Sequence, residues 1–134
     1  MKMANSSTFD LSALPFSVPG HFYKGNLHTH CTESDGDYPA EEVIRRYQEK
    51  GYDFLALSDH FLECYGFPVT DTRELRSADF TTLISAELHT GNLHNGETWH
   101  VLAVGLPLDF APPEEHEGIE SLSKRAFDAG AYIG

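Results

Sequence analysis

Cysteine is scarce in this chain: Cys31 and Cys64 are the only two among 134 residues. Two cysteines allow at most one bridge, so a disulfide-stapled extracellular scaffold is excluded and a reduced, intracellular setting is expected. Positive charge is scarce as well, with 9 Lys and Arg against 21 Asp and Glu and a formal charge of −12. A surface so negative repels a polyanion, and no Lys/Arg cluster offers a phosphate-tracking stripe, so no long nucleic-acid partner is expected. Long apolar runs are missing too. No stretch approaches the ~20 residues needed to cross a bilayer, and no membrane partner is expected. Met1 to Asp10 is polar and lacks the hydrophobic centre of a signal peptide, which leaves the cytoplasm as the expected compartment.

What is present suits one α/β domain. The chain is 40% hydrophobic and 12% aromatic, enough to bury a core within a single-domain length. Residues 1–24 read as a lead-in, with Phe9, Leu11, Leu14 and Phe16 as docking residues; the domain proper is expected over 25–134. Gly25 to His30 reads as a strand, followed by a turn on Ser34-Asp35-Gly36. Pro39 suits a first helical position, Glu41 and Glu42 suit the positive first turn, and Gly51 suits the stop. Phe54-Leu55-Ala56-Leu57 is a continuous apolar run of strand length, as expected for a strand covered on both faces. Strand, helix, strand in that order predicts a βαβ unit. Residues 61–80 read as irregular, Leu83 to Glu87 as a third strand, 89–98 as a Gly/Asn-rich excursion, and His100 to Val104 as a fourth strand. After Pro112 and Pro113 comes a helix with an apolar face of Ile119, Leu122, Ala126 and Phe127, stopped by Gly130. Ala131 to Gly134 reads as the start of another strand.

The chemistry-bearing residues gather at strand ends. Alternation along a strand puts His28 and His30 on one face, where two ring nitrogens can converge on one ion. Alone, His-x-His is weak, because two histidines two apart often arise by chance. Here Asp35 follows in a glycine turn, Asp59-His60 ends the next strand, and Glu87 ends the third. In parallel α/β folds the carboxyl ends of strands are where ligands bind. Alternation turns Cys31 away from the histidine face, as a small buried residue, and turns Asp59 away as a partner behind the ligands. His89, His94 and Glu97 read as solvated loop positions near the mouth, with contact to substrate as the alternative, His21 and His116 as surface residues, and Trp99 as packing rather than a substrate platform.

The string Asn26-Leu27-His28-Thr29-His30-Cys31-Thr32-Glu33-Ser34-Asp35-Gly36, with Glu41-Glu42-Val43 and Gly51-Tyr52-Asp53-Phe54-Leu55-Ala56-Leu57-Ser58-Asp59-His60, resembles the opening of a PHP (polymerase and histidinol phosphatase) domain. Ser85-Ala86-Glu87-Leu88 followed by His100-Val101-Leu102-Ala103-Val104-Gly105 extends the resemblance over residues 25–134. It implies a distorted (β/α)7 barrel that binds two or three divalent metal ions and hydrolyses phosphoesters. Position by position, it implies that His28 and His30 hold a first metal. Glu87 then bridges to a second that His100 also contacts, and Asp35 and His60 face a third. His100 begins a strand rather than ending one, so it reaches the same rim only if residues 89–99 reverse the chain.

Mixed imidazole and carboxylate ligands suit Mn, Fe or Zn better than Ca. The expected function is a metal-dependent phosphoesterase acting on a small phosphorylated substrate. A nuclease acting on short oligonucleotides and a catalytically inactive docking module are the alternatives. The resemblance also implies a further histidine and an Asp-x-His pair beyond Gly134. The chain is therefore expected to be the N-terminal half of such a barrel, completed by more polypeptide or by an oligomeric partner.

Overall fold

The structure is a computed structural model that describes Ser17 and residues 19–134. The lead-in docking residues Phe9, Leu11, Leu14 and Phe16 lie outside the described residues.

Helix α1 (Ala40–Glu49) forms where Val43, Ile44 and Tyr47 recur at helical spacing, and it buries Val43 and Ile44. Pro39 sits just before the helix as its N-cap rather than inside it, with extended backbone, and Glu41 and Glu42 occupy the first turn. Gly51 follows the last turn at φ +70°, a left-handed conformation that glycine adopts without steric cost. The buried face of α1 packs on Cys31, Leu55, Leu57 and Phe80. Each such aliphatic side chain contributes about 1.5–3 kcal/mol when fully buried.

Strands β1 (Gly25–Asn26), β2 (Phe54–Leu57) and β4 (Thr81–Leu88) pair in parallel. β3 (His60–Phe61) also pairs with β4 in parallel, further along the same strand. β2 and β3 are thus two pieces of one path along β4, interrupted at Ser58-Asp59. Strand β5 (Val101–Val104) runs antiparallel to β4, and β6 (Tyr132–Ile133) antiparallel to β5. Helix α2 (Ile119–Asp128) connects the last two strands and buries Leu122 and Ala126 against Phe61, Ala86, Leu88 and Ala103. The result is a mixed sheet of order β1-β2-β4-β5-β6, forming part of a barrel-like wall.

Several expectations need correction. The ladder of β1 stops at Asn26 rather than His30. The Asn26 side chain takes over there, its Nδ2 donating to the carbonyl of His28 (3.1 Å) and to Thr29 Oγ1 (2.7 Å). Backbone pairing resumes only where Ser58 N donates to the Thr29 carbonyl at 2.7 Å. The 61–80 segment contains Phe61 of β3 and two single 3₁₀ turns at Glu63–Tyr65 and Arg73–Leu75. Phe127 does not belong to the buried face of α2; it is exposed, as is Trp99. Among the described residues, no helix is long and apolar enough to cross a membrane.

Candidate metal centre

The loop after His30 is held by its own backbone. Ser34 N and Gly36 N both donate to the Cys31 carbonyl, at 3.1 and 2.9 Å. A Cβ at Gly36 would lie 2.6 Å from Cys31 Cα, so only glycine lets the turn close. Behind it sits Asp59, buried at the break between β2 and β3. Its carboxylate accepts from Cys31 N (2.8 Å), the Cys31 thiol (3.0 Å), Ser34 Oγ (2.7 Å) and Thr70 Oγ1 (3.1 Å). Burial, then the hydrogen bond to Asp59, pushes the Cys31 thiol up to about 12. Cys31 is therefore a buried neutral thiol facing away from the histidines.

On the other side of this loop the imidazoles converge. His28 Nε2 lies 3.0 Å from His30 Nε2. His30 Nδ1 is 2.8 Å from Asp35 Oδ1, and His60 Nε2 is 3.3 Å from Asp35 Oδ2. Because a carboxylate only accepts, His30 Nδ1 carries the proton and its Nε2 presents a lone pair inward. The bond from His30 lowers the Asp35 carboxyl below its ordinary value.

Glu87 sits at the centre. It is 2% exposed at the end of β4, and five imidazoles face its two oxygens. His28 Nε2 (3.3 Å) and His100 Nδ1 (2.9 Å) face Oε1. His60 Nδ1 (2.7 Å), His30 Nε2 (3.4 Å) and His89 Nε2 (3.4 Å) face Oε2. None of the contacts to Oε2 is a hydrogen bond, and that buried oxygen has no hydrogen-bond partner. Burial alone would raise the Glu87 carboxyl, but the imidazoles of His89 and His100 beside it, with the charge of His28, outweigh burial and hold it at about 2. Burial pushes the His60 imidazole below its ordinary value, against the pull of Glu87.

These donors fit a cation. Electron-rich nitrogens and oxygens separated by 2.7–3.4 Å without hydrogen bonds, as Glu87 Oε2 is from His60 Nδ1 and His30 Nε2, repel one another unless positive charge sits among them. A metal–ligand bond of about 2.1 Å gives ligand–ligand edges of about 3.0 Å in an octahedron and about 3.4 Å in a tetrahedron. Three overlapping groups bring their ligand atoms within 4.8 Å of one another: His28, His30 and Glu87; His30, Asp35 and His60; and His60, Glu87, His89 and His100.

The six residues singled out from the sequence, His28, His30, Asp35, His60, Glu87 and His100, therefore all lie in one cluster. The antiparallel pairing of β4 and β5 brings His100 back to the rim beside Glu87. His89 is the member that the sequence reading missed. It is buried rather than a solvated loop residue, while His94 and Glu97 are exposed. The missed signal was the same alternation that paired His28 with His30, since Glu87-x-His89 also puts two side chains on one face.

An open groove of about 770 Å³ adjoins His100, lined by Trp99, Val101, Ile119 and Ile133 among others. A second hollow of about 540 Å³ opens at the N-terminal ends of β2 and β4, beside Phe54 and Phe80, and contains none of the histidines.

No family model and no curated protein matches the chain. Among solved structures it is similar to a two-domain protein from Bacteroides vulgatus that contains a predicted PHP-like metal-dependent phosphoesterase. The TM-score is 0.57 and the identity 17%, over 83% of this chain and 34% of that one. The shared feature is the fold. This chain spans about a third of that protein's length.

Proposed function

We propose that this chain is a metal-dependent phosphoesterase of PHP type that hydrolyses a small phosphorylated compound. The observation that carries the proposal is Glu87: a buried, ionised carboxylate with one oxygen lacking any hydrogen bond, faced by five imidazoles. In this reading His28, His30 and Glu87 hold one divalent ion, Glu87 and His100 a second, and Asp35 and His60 a third, the ions being Mn, Fe or Zn. Bound ions of this kind neutralise phosphate oxygens, bring a water to its nucleophilic form near neutral pH, and stabilise the leaving oxygen.

The chain's own residues do the positioning. Glu87 turns both oxygens towards the imidazoles, Oε1 to His28 and His100 and Oε2 to His30, His60 and His89, so it would lie within reach of more than one ion. Asp35 accepts the His30 Nδ1 proton and so aims the Nε2 lone pair inward. Asp59 fixes the loop from which both project. The groove beside His100 takes the part of the substrate that is not phosphate, against Trp99, Val101 and Ile119. Among the described residues, Glu87 and Asp35 pair only with histidines, so the phosphate charge is met by the ions rather than by Lys or Arg. The wider proposal places residues 25–134 in a distorted (β/α)7 barrel working in the cytoplasm.

The test is elemental analysis of the purified chain, followed by a phosphomonoester panel with Mn, Fe or Zn added. A transition metal that co-purifies and is lost in the His28→Ala, His30→Ala double variant is expected, together with metal-stimulated phosphate release. Cleavage confined to oligonucleotide ends would instead favour a nuclease. A metal-free, inert chain would refute the proposal and favour a docking module.

A further inference from the structure

We propose that His89 is an additional metal ligand, presenting Nε2 beside Glu87, His60 and His100; this rests on the metal-centre reading above.

The protonation pattern leads there. His89 Nδ1 lies 2.9 Å from the Trp99 carbonyl oxygen, which can only accept, so Nδ1 carries the proton of the neutral ring. Nε2 is then a lone pair. It lies 3.4 Å from Glu87 Oε2, another acceptor, and 2.7 Å from His60 Nδ1. His60 has one proton to place. On Nδ1 it can satisfy His89, but His60 Nε2 then turns a lone pair on Asp35 Oδ2 at 3.3 Å. On Nε2 it satisfies Asp35, and two imidazole lone pairs then meet at 2.7 Å. In neither arrangement does Glu87 Oε2 gain a hydrogen bond. The cluster is one cation short whichever tautomer His60 adopts, and His89 Nε2 faces the gap.

The ordinary alternative is a core histidine tied between Trp99 and His60. That reading explains the 2.9 Å bond to Trp99 but leaves the Glu87 oxygen and one lone-pair pair unrelieved. A histidine ligand whose other ring nitrogen donates to a backbone carbonyl is the common arrangement in metal sites, because that bond fixes the tautomer and the ring's aim. The register supports the geometry. Leu88 pairs with Val101, so the next residues out are His89 and His100, and their rings meet edge to face with centroids 4.4 Å apart.

The experiment is a Co(II) titration of the metal-free full chain, read by visible absorption and by bound Co(II), for the wild type and His89→Asn. Asparagine keeps an N–H near the position of Nδ1 for the Trp99 carbonyl but has no counterpart to Nε2. The expected result is a Co(II) affinity lower by roughly ten-fold or more, with a changed absorption band in the site that remains. An unchanged affinity and band would overturn the proposal while leaving the metal centre standing. A wild type that binds no Co(II) would overturn both. Should His89→Asn fail to fold, the ¹⁵N-labelled wild type decides with Zn(II): the Nε2 resonance of His89 moves if it is a ligand. A His89 resonance that stays put while those of His28 and His30 move overturns the proposal.

Discussion

Asp59 gives the sharpest test of how the loop carrying His30 and Asp35 is held. Asp59→Ala removes one buried carboxylate and strands four donors: Cys31 N, the Cys31 thiol, Ser34 Oγ and Thr70 Oγ1. Hydrogen bonds to a charged group contribute about 1.5–3 kcal/mol each, and a thiol contributes less. Taking three such bonds at the low end, and allowing for water entering the vacated space, the loss is about 3–5 kcal/mol. That is a large share of a domain's net ~5–15 kcal/mol. Asp59→Asn keeps the shape and one acceptor oxygen and should cost about 1–3 kcal/mol. The assay is urea unfolding of the metal-free chain. With a slope of about 1.5–2 kcal/mol per molar, the Asp59→Ala midpoint should fall by roughly 2 M. A shift below about 0.5 M at unchanged slope would refute the claim that Asp59 anchors the loop.

Three further outcomes follow from the same geometry. Gly36→Ala places a methyl 2.6 Å from Cys31 Cα, and thermal unfolding should show a loss of about 1–3 kcal/mol, because backbone must shift. Acid should destabilise the metal-free chain in two stages. His60 is depressed by burial, so the unfolded chain binds its proton first and stability falls once pH drops below the ordinary 6.5. Glu87, held at about 2 against an ordinary 4.5, contributes stability above 4.5 that is lost as pH falls towards 2. Chemical denaturation at stepped pH checks both stages, and a flat profile from pH 7 to 3 would contradict them. Finally, with Cys31 buried at about 12 and Cys64 exposed, a maleimide at pH 8 should label one cysteine in the native chain and two in denaturant, as read by intact mass.

The sequence was legible where one force dominates. The run Phe54–Leu57 is apolar on both faces and became β2 with those bounds, and the apolar stripe of α1 emerged between Pro39 and Gly51 as spacing required. It was less legible where side chains substitute for backbone pairing. Asn26 ends β1 early by bonding its own downstream backbone, an interaction that strand alternation does not encode. His60 and Phe61 were hidden as a strand because two residues carry no period; their pairing depends on where β4 lies. In the cluster, strand ends and a glycine turn point to His28, His30, Asp35, His60 and Glu87, and the PHP resemblance adds His100; His89 reads as a loop residue because its flanks, Thr90 to Asn95, look like a loop. What buries it is the tertiary register of β4 against β5, and that is a long-range fact.

The reversed direction of β5 changes where insertions can be tolerated. Glu87 and His100 are fixed by facing strands, and His89 is clamped to the Trp99 carbonyl, so the rim is closed below the tip of the hairpin. Residues 91–98 hang outside that closure, joined among the described residues by the bridge between Asn92 and Thr98 and a few turn bonds at Leu93, Asn95, Gly96 and Glu97. Lengthening them adds loop-closure entropy that grows only logarithmically, about 0.6 kcal/mol per doubling. The tip is thus a natural splice point. A peptide or a whole recognition module grafted between Asn92 and Thr98 would sit over the mouth of the site without altering the spacing of the histidines beneath it.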